Sequence, residues 1–253
     1  MKTALRAASA LALALCAVCR VEAAPQPVRV MLIGDSLSVG PFGRAMEAAL
    51  QRRYGSRGVC VFASCGSSPE DWLDDTPVFV TPCGYRQTTP GRSIVIDWIN
   101  GRRPRPVKTP KLPKILASYR PQLVIVELGT NWMDRLATAD RLDGARYREI
   151  IRDFVGELRG ASVPPPAVVW VMPPASSKYP AAVHQAVDRW IYESGQSLGF
   201  RTISSRAITG PYRAGKTGGD GVHYADDAGR RWAAGVMSKL PAAFPLAPAG
   251  GGH

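Results

Sequence analysis

Five short apolar runs divide the chain, at Val28–Ile33, Gly58–Ala63, Gln122–Glu127, Ala167–Met172 and Thr202–Ser204. Each is too short to be read as a helix, and most are dense in valine and isoleucine, as buried strands are. Between and after them lie segments of helical composition: Ser38–Tyr54, Leu112–Tyr119, Ala145–Leu158, Ala181–Leu198 and Asp226–Leu240. Strands that alternate with helices cannot be joined by hairpins, so they predict a parallel sheet covered by helices on both faces, an α/β/α sandwich. The 253 residues suffice for one core, and length favours a single domain, here residues 24–245. In such sheets ligands bind at the carboxyl ends of the strands. Three turns open there, at Gly34-Asp35-Ser36-Leu37, Cys65-Gly66-Ser67-Ser68 and Gly129-Thr130-Asn131, after three different strands.

Ser36 stands where the first strand hands over to a helix. A serine there can cap the helix. It can also be a nucleophile whose own N–H stabilises an oxyanion. Serine chemistry needs a base, and the chain offers His184, His223 and His253. His253 ends the glycine-rich tail 246–253, read as flexible, and His184 falls mid-helix on a surface or packed face. His223 lies in the loop Gly218-Gly219-Asp220-Gly221-Val222-His223-Tyr224, with Asp220 three residues before it. A local turn would bring that carboxylate to the imidazole, fix its tautomer and stabilise the imidazolium. An isolated Asp-x-x-His also fits a metal pair or a cap; beside Ser36 the acid–base reading is preferred. Gly210–Thr217 matches a phosphate-binding loop in spacing, but glycines rather than a helix follow its Lys216-Thr217, so nucleotide binding is not expected. The Gly-x-Ser-x-Gly elbow of α/β-hydrolases is absent around Ser36.

Taken in order, Gly34-Asp35-Ser36-Leu37, Gly66, Gly129-Thr130-Asn131 and Asp220-Gly221-Val222-His223 resemble the four blocks of the SGNH (GDSL) hydrolase superfamily. The resemblance spans residues 28–240. It implies a flavodoxin-like fold and ester hydrolysis without a metal. Ser36 would be the nucleophile, His223 the base and Asp220 its partner. The Ser36 and Gly66 N–H groups and the Asn131 side-chain amide would form the oxyanion hole. Asp35 would bond within its own turn. Trp132, next to Asn131, and Tyr224, next to His223, are candidate substrate contacts, although any one tryptophan, Trp72 and Trp98 included, more often packs in a core.

The first residues read as a secretory signal: Lys2 and Arg6, an apolar Ala7–Val18, and Val21-Glu22-Ala23 as the cleavage region. Lipid anchoring through Cys16 or Cys19 is a minor alternative. Cleavage after residue 23 removes three cations and one anion, taking the net charge from +12 to +10. A basic exported protein suits anionic cell-wall polymers or membrane surfaces rather than nucleic acid; the charge also serves solubility alone. Of the remaining cysteines, Cys60 lies in strand-like sequence and Cys65 and Cys83 in loops, so Cys65–Cys83 is the expected bridge, with Cys60–Cys65 and Cys60–Cys83 open. The proline-rich stretch of about 71–114 reads as an irregular insertion, with Ser93–Ile99 as a strand of an inserted hairpin. Its basic run Arg102–Pro106 is either a rim for substrate or a solvated stiff loop. The expected activity is an exported serine esterase, periplasmic or secreted, removing acyl groups, acetyl first, from a carbohydrate or cell-wall polymer. A lipase or thioesterase, and an acyltransferase or glycan-binding accessory protein, are the alternatives.

Overall fold

The computed structural model describes residues 30–97 and 102–240; the leader, Trp98 and the tail with His253 lie outside the described residues. Chain order begins β1 (Val30–Gly34), α1 (Ser36–Val39), α2 (Pro41–Tyr54) and β2 (Val59–Ser64), then β3 (Val80–Thr81), β4 (Tyr85–Thr89), β5 (Arg92–Ile96) and β6 (Val107–Lys108). It continues with α3 (Leu112–Tyr119), β7 (Leu123–Glu127), α4 (Thr130–Leu136), α5 (Ala145–Gly160), β8 (Ala167–Val171), α6 (Ala181–Leu198), β9 (Arg201–Ile203), α7 (Ser205–Thr209) and α8 (Asp226–Lys239).

Among the described residues the main sheet has seven strands in the order β5-β4-β2-β1-β7-β8-β9. The five strands from β2 to β9 are mutually parallel, the flavodoxin-like order. Alternate residues along these strands feed two cores. Met31, Ile33, Phe62, Val126 and Trp170 face one layer with α3, α4, α5 and α6. Val30, Leu32, Val61, Ile125 and Val171 face the other, with α2 and α8. Strands buried on both faces are why these runs read as continuously apolar. No helix among the described residues is long and apolar enough to cross a membrane.

Two local expectations change. The segment expected as one helix, Ser38–Tyr54, is two, broken at Gly40. Pro41 has no N–H to donate and pushes the residue before it out of helical geometry, so Gly40 is extended. The insertion is also more ordered than its prolines suggest. β4 and β5 form an antiparallel hairpin that extends the sheet beyond β2, and β3 pairs with β6. β4, Tyr85-Arg86-Gln87-Thr88-Thr89, has no apolar pattern because its buried side is polar. Arg86 pairs with Glu47 at 3.1 Å and donates to the Val39 carbonyl, and Thr88 donates to Glu47 at 2.7 Å. The hairpin is stapled to β2 by a Cys65–Cys83 disulfide, Cα atoms 5.4 Å apart, the expected pairing; Cys60 is free and buried, and burial pushes its thiol up to about 12.

Candidate active site

The site is assembled where β1, β2 and β7 end. Gly34 closes β1 against the next turn: a Cβ there would lie 2.1 Å from Ser38 Oγ, so only glycine allows the chain to turn this tightly. Asp35 caps α1, its Oδ1 accepting the Leu37 N–H at 2.9 Å, and this sets half-buried Ser36 at the first position of the helix. Ser36 Oγ lies 3.0 Å from His223 Nε2, across 187 residues of chain. His223 Nδ1 lies 2.5 Å from Asp220 Oδ2. Asp220 Oδ1 accepts the Val222 and His223 N–H groups at 2.9 and 2.8 Å, which is the local turn that the three-residue spacing predicts. Partial burial pushes the Asp220 carboxyl up, but the hydrogen bonds from the His223 ring and these two amides outweigh it and hold it down at about 2.

The loop carrying this pair is fastened from behind. Tyr212 donates to the His223 carbonyl at 3.1 Å and accepts from the Gly221 N–H at 3.2 Å. Ser176 donates to the Gly221 carbonyl at 2.6 Å. Gly210–Thr217, the segment with phosphate-loop spacing, folds back on itself: Lys216 and Thr217 N–H groups bond the Arg213 carbonyl, and no helix starts there.

The two remaining turns face the same corner. Gly66 adopts φ of +84°, a left-handed conformation that a side chain would strain. The next residue, Ser67, donates its hydroxyl to the Ser64 carbonyl and accepts Asn131 Nδ2 on its own carbonyl at 2.8 Å. The same Nδ2 donates to Asp35 Oδ2 at 3.2 Å. Asn131 therefore ties all three strand ends together, and its bond to Asp35 is the longer of the two.

Beneath this corner lies a group that pattern reading passed over. Glu127, the last residue of β7, is fully buried, as is Asp35. Glu127 Oε2 accepts the Ser38 hydroxyl at 2.8 Å, its Oε1 has no hydrogen-bond partner, and its backbone carbonyl accepts the Asp35 N–H at 3.3 Å. Burial pushes both carboxyls well above their ordinary range, Asp35 to about 7. The available signal was one acid closing an otherwise apolar run, Leu123-Val124-Ile125-Val126-Glu127.

Two expected substrate contacts are corrected. Trp132 is fully buried; its indole N–H donates to Glu70 at 2.8 Å and its ring meets Tyr147 edge-on, so it packs under the loop. Tyr224 is buried too, its hydroxyl donating to the Ala175 carbonyl and its ring against Tyr212 and Trp232. Both are one residue from a site residue, and on a helix or tight loop the neighbour points elsewhere. Trp72 is likewise buried, and His184 packs inside, edge-on to Tyr179, where burial lowers its pKa. Among the described residues no cluster of three or more His, Cys, Asp or Glu side chains is placed to hold a metal.

No protein-family model matches the chain, and no curated protein matches its sequence. Solved structures do match in fold. TesA superposes with a TM-score of 0.59 at 18% identity, covering 85% of this chain and 99% of that one. Est24, a carbohydrate acetylesterase from Sinorhizobium meliloti, gives 0.56 at 18% identity, over 85% of this chain and all of that one (100%). A carbohydrate esterase family 3 protein from Talaromyces cellulolyticus gives 0.56 at 16%, over 85% and 97%. At these identities the likeness shows the fold, and it is the α/β/α fold that the resemblance to SGNH hydrolases implied.

Proposed function

We propose that this chain is a serine esterase of the SGNH type, exported from the cytoplasm, that removes acetyl or other short acyl groups from a carbohydrate or cell-wall polymer. The observation that carries the reading is the continuous hydrogen-bonded line Ser36–His223–Asp220, 3.0 and 2.5 Å, at the carboxyl edge of a parallel sheet. His223 Nε2 accepts the Ser36 proton as Oγ attacks the ester carbonyl. The anionic Asp220 keeps the other ring proton on Nδ1 and stabilises the imidazolium that forms. The Ser36 and Gly66 N–H groups, joined by the Asn131 amide as it leaves Asp35, receive the developing oxyanion. The imidazolium returns its proton to the leaving alcohol, and water activated by the same histidine releases the acid from Ser36.

Two features support a large alcohol and a small acyl group. The His223 and Asp220 side chains are 50% and 56% exposed, which leaves the leaving-group side open to a polymer. Two fold relatives are described as carbohydrate esterases. Export is supported by the signal-like leader and the loop disulfide. The test is acetate release from a panel of O-acetylated glycans, peptidoglycan included, by the protein and by Ser36→Ala. Release that disappears in the variant supports the reading. Activity on synthetic esters that rises with acyl length, with no glycan deacetylated, replaces it with a lipase or thioesterase. Acyl transfer to added sugar that outpaces hydrolysis makes the protein a transferase.

A further inference from the structure

The insertion builds a second concavity beside the proposed site. Its floor is one face of the β4–β5 hairpin, where alternation places Tyr85, Gln87, Ile94 and Ile96 together, with Phe62 of β2 beside them. Its far wall is α3, through Ser118 and Tyr119, and its near wall is the segment Arg105–Pro110, which β6 secures to β3. The space is about 550 Å³. Among the described residues four cations line it, Arg92, Arg105, Lys108 and Lys114, all exposed, and no carboxylate does. None of the four makes an ion pair with any described residue, whereas Arg44, Arg86, Arg135 and Arg206 all do. Four unneutralised cations around one groove form a local positive potential that attracts anions.

The groove begins at the catalytic corner. Tyr85 pairs with Ser64, two residues before Gly66, and Thr109 bonds the Ser64 hydroxyl at 2.5 Å. From there the five-residue hairpin arms carry it about 16 Å along the sheet edge. Its lining mixes half-buried apolar surface, Ile94, Ile96, Pro110 and the Tyr119 ring, with the charged rim. Sugar rings present apolar C–H faces to such surface while their acidic substituents reach the cations.

We infer that this groove is a subsite for an anionic glycan, so that the polymer presented to Ser36 carries carboxylate or phosphodiester groups on the sugars flanking the ester. The inference rests on the esterase reading only for the role of Ser36; the groove binds its ligand without catalysis.

The experiment is calorimetric titration of the Ser36→Ala protein with three oligosaccharides of equal length: a polyuronate, a phosphodiester-linked glycan and a neutral glucan. An anionic oligomer is expected to bind roughly tenfold or more tightly than the neutral one, less so as salt rises. Whichever anion binds better identifies the source of charge. Adding Arg105→Glu and Lys108→Glu is expected to weaken that binding by roughly tenfold and leave the neutral oligomer unaffected. The same two changes in the protein with Ser36 intact leave hydrolysis of p-nitrophenyl acetate at its original rate, which shows that the variant folds. Equal affinity for charged and neutral oligomers, or charge reversal without effect, overturns the subsite while ester hydrolysis stands. Selective anion binding by a protein inert on every ester keeps the subsite and removes the esterase.

Discussion

Replacing Glu127 by Gln tests the buried carboxyl pair beneath Ser36. In the folded protein Glu127 and Asp35 are both fully buried, and the Asp35 N–H donates to the Glu127 backbone carbonyl at 3.3 Å. Burial raises the Glu127 carboxyl well above its ordinary 4.5, and the neighbouring Asp35 charge raises it further. The folded state therefore keeps a proton that the unfolded chain releases near pH 4.5. Stability from this group is complete below that pH and is lost as pH rises, by up to ~1.4 kcal/mol per pH unit for one proton. Gln has the same shape, donates an N–H toward Asp35 and accepts from Ser38, and has no proton to lose. At pH 5.5 the variant should be less stable by about 1 kcal/mol or less. By pH 7.5 the difference should have moved in its favour, by no more than ~1.4 kcal/mol for each pH unit over which one proton is lost. His184, lowered by burial, and Asp220, held low, titrate in both proteins and drop out of the difference; Asp35, raised by burial to about 7, titrates inside the window beside the substituted residue, so the difference reports the pair. Urea unfolding followed by tryptophan fluorescence at pH 5.5, 6.5 and 7.5, with equal m values, measures it. Parallel stability curves across that range would refute the retained proton.

Asp220→Asn should lower kcat by roughly 10²–10⁴ with little change in KM, because an amide neither stabilises the imidazolium nor holds the ring tautomer; steady-state kinetics on a small ester decide this. Since Asp220 is held at about 2, the wild-type pH–rate profile should contain no step from this group above pH 4. Breaking the Cys65–Cys83 bridge, which spans 18 residues, by Cys83→Ser should cost about 3 kcal/mol in denaturant unfolding. It should also reduce kcat, since Cys65 precedes Gly66. Trp132→Phe should leave KM for glycan esters unchanged while lowering Tm, because the indole is a core group bonded to Glu70; a raised KM with an unchanged Tm would return it to the substrate.

The parallel sandwich was legible because burial on both faces forces long apolar runs, and those runs survive in one dimension. Ser36, His223 and Asp220 were legible because strand ends, glycine-rich turns and a three-residue spacing are local features. β4 was not, since its inward side chains are Arg86 and Thr88, held by Glu47 from a helix about forty residues earlier. Nor were the roles of Trp132 and Tyr224, because adjacency in sequence to a site residue says nothing about which way the next side chain points.

What the sequence alone determined is therefore the order of elements, the strand ends where a site can gather, and the candidate residues that stand there. The tertiary structure alone decided that Ser36 and His223 stand 3.0 Å apart, that Asn131 is shared between Ser67 and Asp35, and that Glu127 and Asp35 are both fully buried beneath Ser36. Each of these depends on distances of a few ångströms between segments far apart in the chain. Close packing of the two layers against the sheet sets those distances, and no local pattern encodes them.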